Sequence, residues 1–149
     1  MYVYIAALKL YDSCLSSYEK KEILDYSQVY FVGNHAQKRL ATKEHTTCNH
    51  GYDDDRGDYH IVLRDHLAYR YEVLEVLGKG SFGQVLKCFD HQKGQMTAVK
   101  IIRNKKRFHA QALVEVKILE DLIKWVSLRE RERTCMCLGV MCTCYSLST

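Results

Sequence analysis

Between Tyr71 and Arg103, apolar and polar residues alternate in three short runs broken by glycines. YEVLEVL (71–77), QVLKCFD (84–90) and MTAVKIIR (96–103) carry the period of two and the β-branched content of half-buried strands. A glycine-rich loop separates the first two, and HQKGQ (91–95), with Gly94, reads as a hairpin turn. The pattern predicts three consecutive antiparallel strands. From residue 109 to 126 (HAQALVEVKILEDLIKWV) the period changes. Ile118, Leu119, Leu122 and Val126 share one face with Glu115, which predicts an amphipathic helix.

Upstream, residues 5–24 read as one helix or two short ones, with Ser16 or Ser17 and the nearby Glu19 and Glu22 marking a second helix start. YSQVYFVG (26–33) reads as a strand ending at Gly33. Residues 34–47 are polar, basic and loop-like, GYDDDRGD opens an acidic turn, and YHIVL (59–63) reads as another strand. After Val126 comes a charged run and then a cysteine-rich end without a period. The expected organisation is an α+β fold: an N-terminal segment over 1–70, a strand-and-helix unit over 71–125, and a divergent, disordered tail over 126–149.

Composition changes this picture little. A hydrophobic fraction of 47% and a charged fraction of 27% in 149 residues suit a globular domain. The net charge of +4 suits a nucleotide or a mildly acidic partner and is too small to argue for nucleic acid. No run of about 18 apolar residues suggests a membrane span, and the opening MYVYIAALKL lacks the charged start and cleavage site of a signal peptide. Three of the seven cysteines are scattered and four crowd into 135–144, which is no disulfide framework and points to a reducing compartment, the cytoplasm. Proline is absent, and nothing physical accounts for it.

The chemistry centres on LGKGSFGQV (77–85), with Gly78, Gly80 and Gly83 in G-x-G-x-x-G-x-V spacing. A dinucleotide-binding turn needs a helix after the third glycine, and here a strand follows. A Walker A loop needs G-x-x-x-x-G-K-[ST], which the text does not supply. A flap between two strands, covering nucleotide phosphates as in a protein kinase, fits its surroundings. The bland alternative is a hairpin whose glycines serve only the turn. Ala98-Val99-Lys100 on the third strand places an ammonium where α- and β-phosphates would need one; alone it would read as a snorkelling surface lysine. Glu115, on the apolar stripe of the helix, is a carboxylate in need of a cation, and Lys100 is the candidate. The alternative is a glutamate at the edge of a solvated face.

Other candidates are weaker. Cys135-x-Cys137 and Cys142-x-Cys144 are spaced more tightly than zinc knuckles. Asp53-Asp54-Asp55-Arg56-Gly57 lacks the register of a calcium loop and reads as a turn. Arg103–Arg107 (RNKKR) is a nuclear-import patch or, more simply, a solvated strand-to-helix turn. Arg64-Asp65-His66 imitates a kinase catalytic loop, but it precedes the glycines and lacks the following asparagine, so a charged turn is preferred.

Taken together, YRYEVLEVLGKGSFGQVLKCFDH and VKIIRNKKRFHAQALVEVKILEDL resemble the dual-specificity tyrosine-phosphorylation-regulated kinases, most of all their class II members. YEKKEILDYSQVYFVG (18–33) and GYDDDRGDY (51–59) resemble the homology box and adjoining segment upstream of that family's kinase domain. The likeness covers roughly residues 6–125. It implies part of a kinase small lobe in which Leu77, Gly78, Lys79, Gly80, Ser81, Phe82, Gly83, Gln84 and Val85 cover ATP. Val85 would contact the adenine, Ala98 would line its pocket, and Lys100 and Glu115 would form the ion pair. It also implies protein substrates phosphorylated on serine and threonine, self-phosphorylation once on tyrosine, and Mg²⁺. No D-F-G, A-P-E or catalytic-loop aspartate occurs in this text, so no catalytic residue and no metal ligand is assigned. The expectation is a chain cut after the regulatory helix, inactive alone, with one sheet edge unpaired. The alternatives are a non-catalytic truncated isoform, an interaction module built on the homology box, and an incomplete reading of the gene.

Overall fold

The computed structural model describes residues 2–41, 46–129 and 140–143. A helix, α1 (Tyr4–Tyr11), is followed by a short turn of helix, α2 (Glu19–Glu22), that runs into a 3-10 turn over Ile23–Asp25. A 3-10 segment over Thr46–Gly51 follows, and after it come β1 (His66–Leu67), β2 (Tyr71–Gly80), β3 (Gly83–Asp90) and β4 (Gln95–Ile102). Then follow α3 (Lys106–Arg129) and β5 (Val140–Thr143). The strands form one sheet in the order β1-β2-β3-β4-β5, antiparallel except for the last pair, which is parallel.

The three predicted strands are present with their turns. Asp90 shapes the β3–β4 turn: its carboxylate accepts the N–H groups of Gln92 and Lys93, and Arg70 clamps both its oxygens at 2.8 and 2.6 Å. The second-helix signal is a reciprocal capping box. The Ser16 N–H donates to Glu19 Oε2 at 2.7 Å, and the Glu19 N–H donates to Ser16 Oγ at 3.2 Å.

Two apolar clusters hold the described residues together. One buries Leu67, Tyr71, Val73, Leu86, Cys88, Val99 and Ile101, with Tyr59 and Ile61 packed over them. Residues before the sheet therefore cover one of its faces. The other cluster gathers Ala7, Leu15, Ile23, Val29, Val32 and Tyr69 from the N-terminal segment. The turn between β1 and β2 joins the two. Arg70 N–H donates to Leu67 O across it, and its central residues Ala68 and Tyr69 both have φ of 52°. Positive φ at both centres is the demand of a type I′ turn, normally met by Asn-Gly. Tyr69 is nonetheless fully buried, and its carbonyl accepts the N–H groups of both Tyr30 and Phe31.

The structure departs from the expected elements in three places. Residues 26–33 form no strand and bend at Ser27 and Tyr30. Val29 makes one bridge with Tyr2, and Tyr30 and Phe31 spend their donors on a turn carbonyl instead of a neighbouring strand. Residues 59–63 are also irregular; Tyr59 and Ile61 pack on the sheet face instead of joining its edge. The edge of β4 expected to be unpaired carries β5, drawn from the tail read as disordered. The helix α3 is present where expected, and its main apolar stripe is not covered among the described residues. Ile118 and Leu122 are 54% and 55% exposed, whereas Phe108 and Ala112 near its start are buried.

Candidate functional site

Strand alternation sorts the candidate residues onto two faces. On β3, Gln84, Leu86 and Cys88 point into the covered face. Val85 lies opposite Lys100 of β4, and Lys87 lies opposite Ala98, so Val85, Ala98 and Lys100 occupy the other, uncovered face. Burial pushes the Cys88 thiol up to about 12, as an inert core group.

On the uncovered face the ammonium of Lys100 meets Glu115 of α3 at 2.5 Å, with side chains 28% and 34% exposed. Phe108, Ala112 and Glu115 follow one another at helical spacing, so the two buried anchors of α3 aim the carboxylate at β4. A half-exposed pair contributes little to stability. Its value lies in fixing the position of a positive charge.

The glycines divide by role. Gly83 has φ of 146°, and a Cβ there would lie 2.0 Å from the Ile101 carbonyl oxygen, so strand packing alone demands glycine. At Gly78 and Gly80 an added Cβ would meet nothing within 4 Å. These two glycines have no packing reason and leave open room along the flap. Of the other flap residues, Leu77 and Ser81 are exposed. Phe82 sets its ring edge-on to Phe108 at 5.6 Å. The Gln84 amide, buried on the covered side, donates to Tyr59 O at 2.8 Å, and Lys79 reaches Asp58 at 3.1 Å. Lys79 pairs with Gln84 across the hairpin, so it points to the outer side with it. Both side chains are thus turned away from the uncovered face.

Asp58, with Arg103 gripping both its oxygens, was read in the sequence only as part of an acidic turn. Nothing in the spacing pairs a turn with a residue 45 positions away. A second charged cluster joins Glu19, Asp65 and His66, whose ligand-type atoms lie within 4.8 Å of one another. The Lys38 ammonium already sits among them, paired to Glu19 and 3.7 Å from Asp65. Burial raises the Glu19 carboxyl, but hydrogen bonds from His66, Lys38 and Ser16 outweigh it and bring it down to about 2. We assign this cluster to holding the N-terminal segment on the sheet edge. Asp65, the decoy of the Arg64-Asp65-His66 text, is committed there. The cysteine-rich motif lies outside the described residues except for Cys142 in β5, of whose side chain nothing is said.

A glycine flap between antiparallel β2 and β3, a lysine on the next strand β4 and a helix carboxylate paired to it define the small lobe of a protein kinase. Residues 71–127 match the protein kinase domain family. The chain is 56% identical over 117 residues to the DYRK-family kinase pom1 of Schizosaccharomyces pombe, covering 78% of this chain and 11% of that protein. It is 57% identical over 118 residues to dual specificity tyrosine-phosphorylation-regulated kinase 4 of Homo sapiens, covering 79% of this chain and 22% of that protein. To the kinase mbk-2 of Caenorhabditis elegans it is 51% identical over 116 residues, covering 78% and 14%. The chain belongs to the dual-specificity tyrosine-phosphorylation-regulated kinase family and spans between about a tenth and a quarter of the length of these relatives. Among the described residues no helix is long and apolar enough to cross a membrane.

Proposed function

We propose that this chain is the ATP-binding part of a dual-specificity protein kinase that, in its full-length form, transfers the γ-phosphoryl group of ATP to serine, threonine and tyrosine hydroxyls of proteins. The observation that carries the reading is the Lys100–Glu115 pair on the uncovered sheet face, beside a flap whose Gly78 and Gly80 leave open room. In this reading Lys100 donates to the α- and β-phosphates, and Glu115 keeps its ammonium from turning to solvent. The backbone of Gly78 and Gly80 lets the flap settle on the phosphates without a side chain in the way. Val85 and Ala98 give the adenine an apolar wall.

Mg²⁺, when bound in the full-length enzyme, neutralises phosphate charge. The groups that would hold it are not among the described residues. Among the described residues no aspartate is placed to accept the substrate hydroxyl proton, so we expect binding without turnover. A cytoplasmic or nuclear setting goes with this reading.

Titration of the chain with a fluorescent ATP analogue tests it. Saturable binding is expected, weakened about tenfold or more in Lys100→Ala, which removes a charge-assisted contact, with thermal unfolding unchanged. No phosphate should be transferred to a basic protein substrate. Binding that ignores Lys100→Ala would overturn the site assignment, and measurable phosphorylation would overturn the claim of inactivity.

A further inference from the structure

We propose that Asp58 is a positioning residue. From outside the cleft it ties the glycine flap to the segment leading into α3, so that flap and Lys100–Glu115 pair are set together. The functional part of this inference rests on the reading of the flap as a phosphate cover. The coupling itself does not.

Asp58 is 2% exposed and receives cations from both sides. Arg103, at the end of β4, donates Nε and Nη2 to its two oxygens at 2.8 and 2.9 Å. Lys79, between the first two glycines, approaches Oδ2 at 3.1 Å. The two arms differ in strength. A bidentate guanidinium pair, with Arg103 only 16% exposed, is strong and fixed in direction. The Lys79 side chain is 52% exposed, and such a pair is weak. The helix side of the link is therefore held firmly and the flap side can let go. When it does, Arg103 still neutralises the buried carboxylate, which would be costly to leave alone.

The loop that presents Asp58 is built for a fixed position. The Asp54 carboxylate accepts the N–H groups of Arg56 and Asp58, both at 2.9 Å. Gly57, at φ of 83°, accepts the Asn104 N–H at 2.7 Å, and a Cβ there would lie 2.8 Å from Asn104 O. Asn104 in turn donates its amide to Asp53 Oδ2 at 2.8 Å. A second thread runs parallel to the first: the Arg103 N–H donates to Phe82 O at 3.0 Å, and the Phe82 ring meets Phe108, the buried anchor of α3. Arg103, Asn104 and Phe108 are thus the residues through which the acidic loop and the flap both reach the helix carrying Glu115. The plainer alternative is that Asp58 merely staples its own loop to β4.

Amide hydrogen exchange on the whole chain, without nucleotide, separates the two. In Asp58→Asn we expect residues 77–83 and 103–109 to exchange about tenfold faster, while 84–90 and 96–101 stay within about twofold. Lys79→Met, a change at an exposed side chain that the fold tolerates, should speed 77–83 alone. The double variant should be no faster in the flap than Asp58→Asn, because both remove one link. Uniform acceleration across all strands in Asp58→Asn, or an unmoved flap in Lys79→Met, overturns the proposal. If Asp58→Asn does not fold, the Lys79→Met flap decides alone. Binding of the fluorescent ATP analogue should weaken several-fold in both single variants. A wild-type chain that binds no nucleotide yet shows the exchange pattern refutes the functional reading and leaves the coupling standing.

Discussion

The sheet's two faces are made of the same strands and treated in opposite ways. On the outer face, Leu86, Cys88, Val99 and Ile101 are covered by Tyr59 and Ile61 from the segment that precedes the sheet. The N-terminal cluster continues this cover through Tyr69. On the inner face, Val85, Ala98 and Lys100 are only partly buried, and α3 beside them keeps Ile118 and Leu122 in solvent. Cohesion is concentrated on one side, and the proposed nucleotide site lies on the other. A residue change on the covered face should therefore cost stability, while one on the bare face should cost function, as the contrast between Lys100→Ala and the variants below would show.

The largest expected effect comes from the residue that joins the two clusters. Tyr69→Ala removes a fully buried ring and should cost about 3–5 kcal/mol in urea unfolding followed by circular dichroism. A loss below about 1 kcal/mol would mean that the outer cover is dispensable. Next is the charged cluster under that cover. The Glu19 carboxyl falls from 4.5 to about 2 in the folded chain, so the folded state binds fewer protons between those values. Its contribution is complete above pH 4.5 and is lost as pH falls through about 2, a difference of about 3 kcal/mol by linkage. Comparing unfolding at pH 6 and pH 2.5, Glu19→Gln should show a markedly shallower decline than the parent. An equal decline would assign the acid sensitivity to other carboxylates. The smallest effect is at Ala68, held at φ of 52° in the tight turn. Ala68→Gly should gain about 0.5–1 kcal/mol, the relief of a left-handed residue less the added freedom of the unfolded chain. Destabilisation instead would mean that the Ala68 methyl packs better than its backbone suffers.

Much of the site was legible because it obeys short-range rules. Period-two alternation located β2, β3 and β4, the change to helical period located α3, and the glycine spacing with Lys100 and Glu115 singled out the ion pair. Residues 26–33 and 59–63 misled because β-branched and aromatic composition marks a segment that will be buried, and burial against a sheet face satisfies it as well as pairing at an edge. The apolar stripe of α3 located the helix but could do no more, since amphipathicity says which face seeks cover and not whether cover is found among these residues.

What the sequence determined alone was the strand and helix periods and which residue types recur at the spacing of a phosphate flap, because dihedral preference and side-chain alternation are local. Which face of the sheet would be covered was settled only in three dimensions. So were the pairing of Asp58 with Arg103 and Lys79, and the assembly of Glu19, Lys38 and His66 into one charged cluster. Each depends on burying charge and apolar area between residues that chain connectivity keeps far apart, and no local pattern encodes that choice.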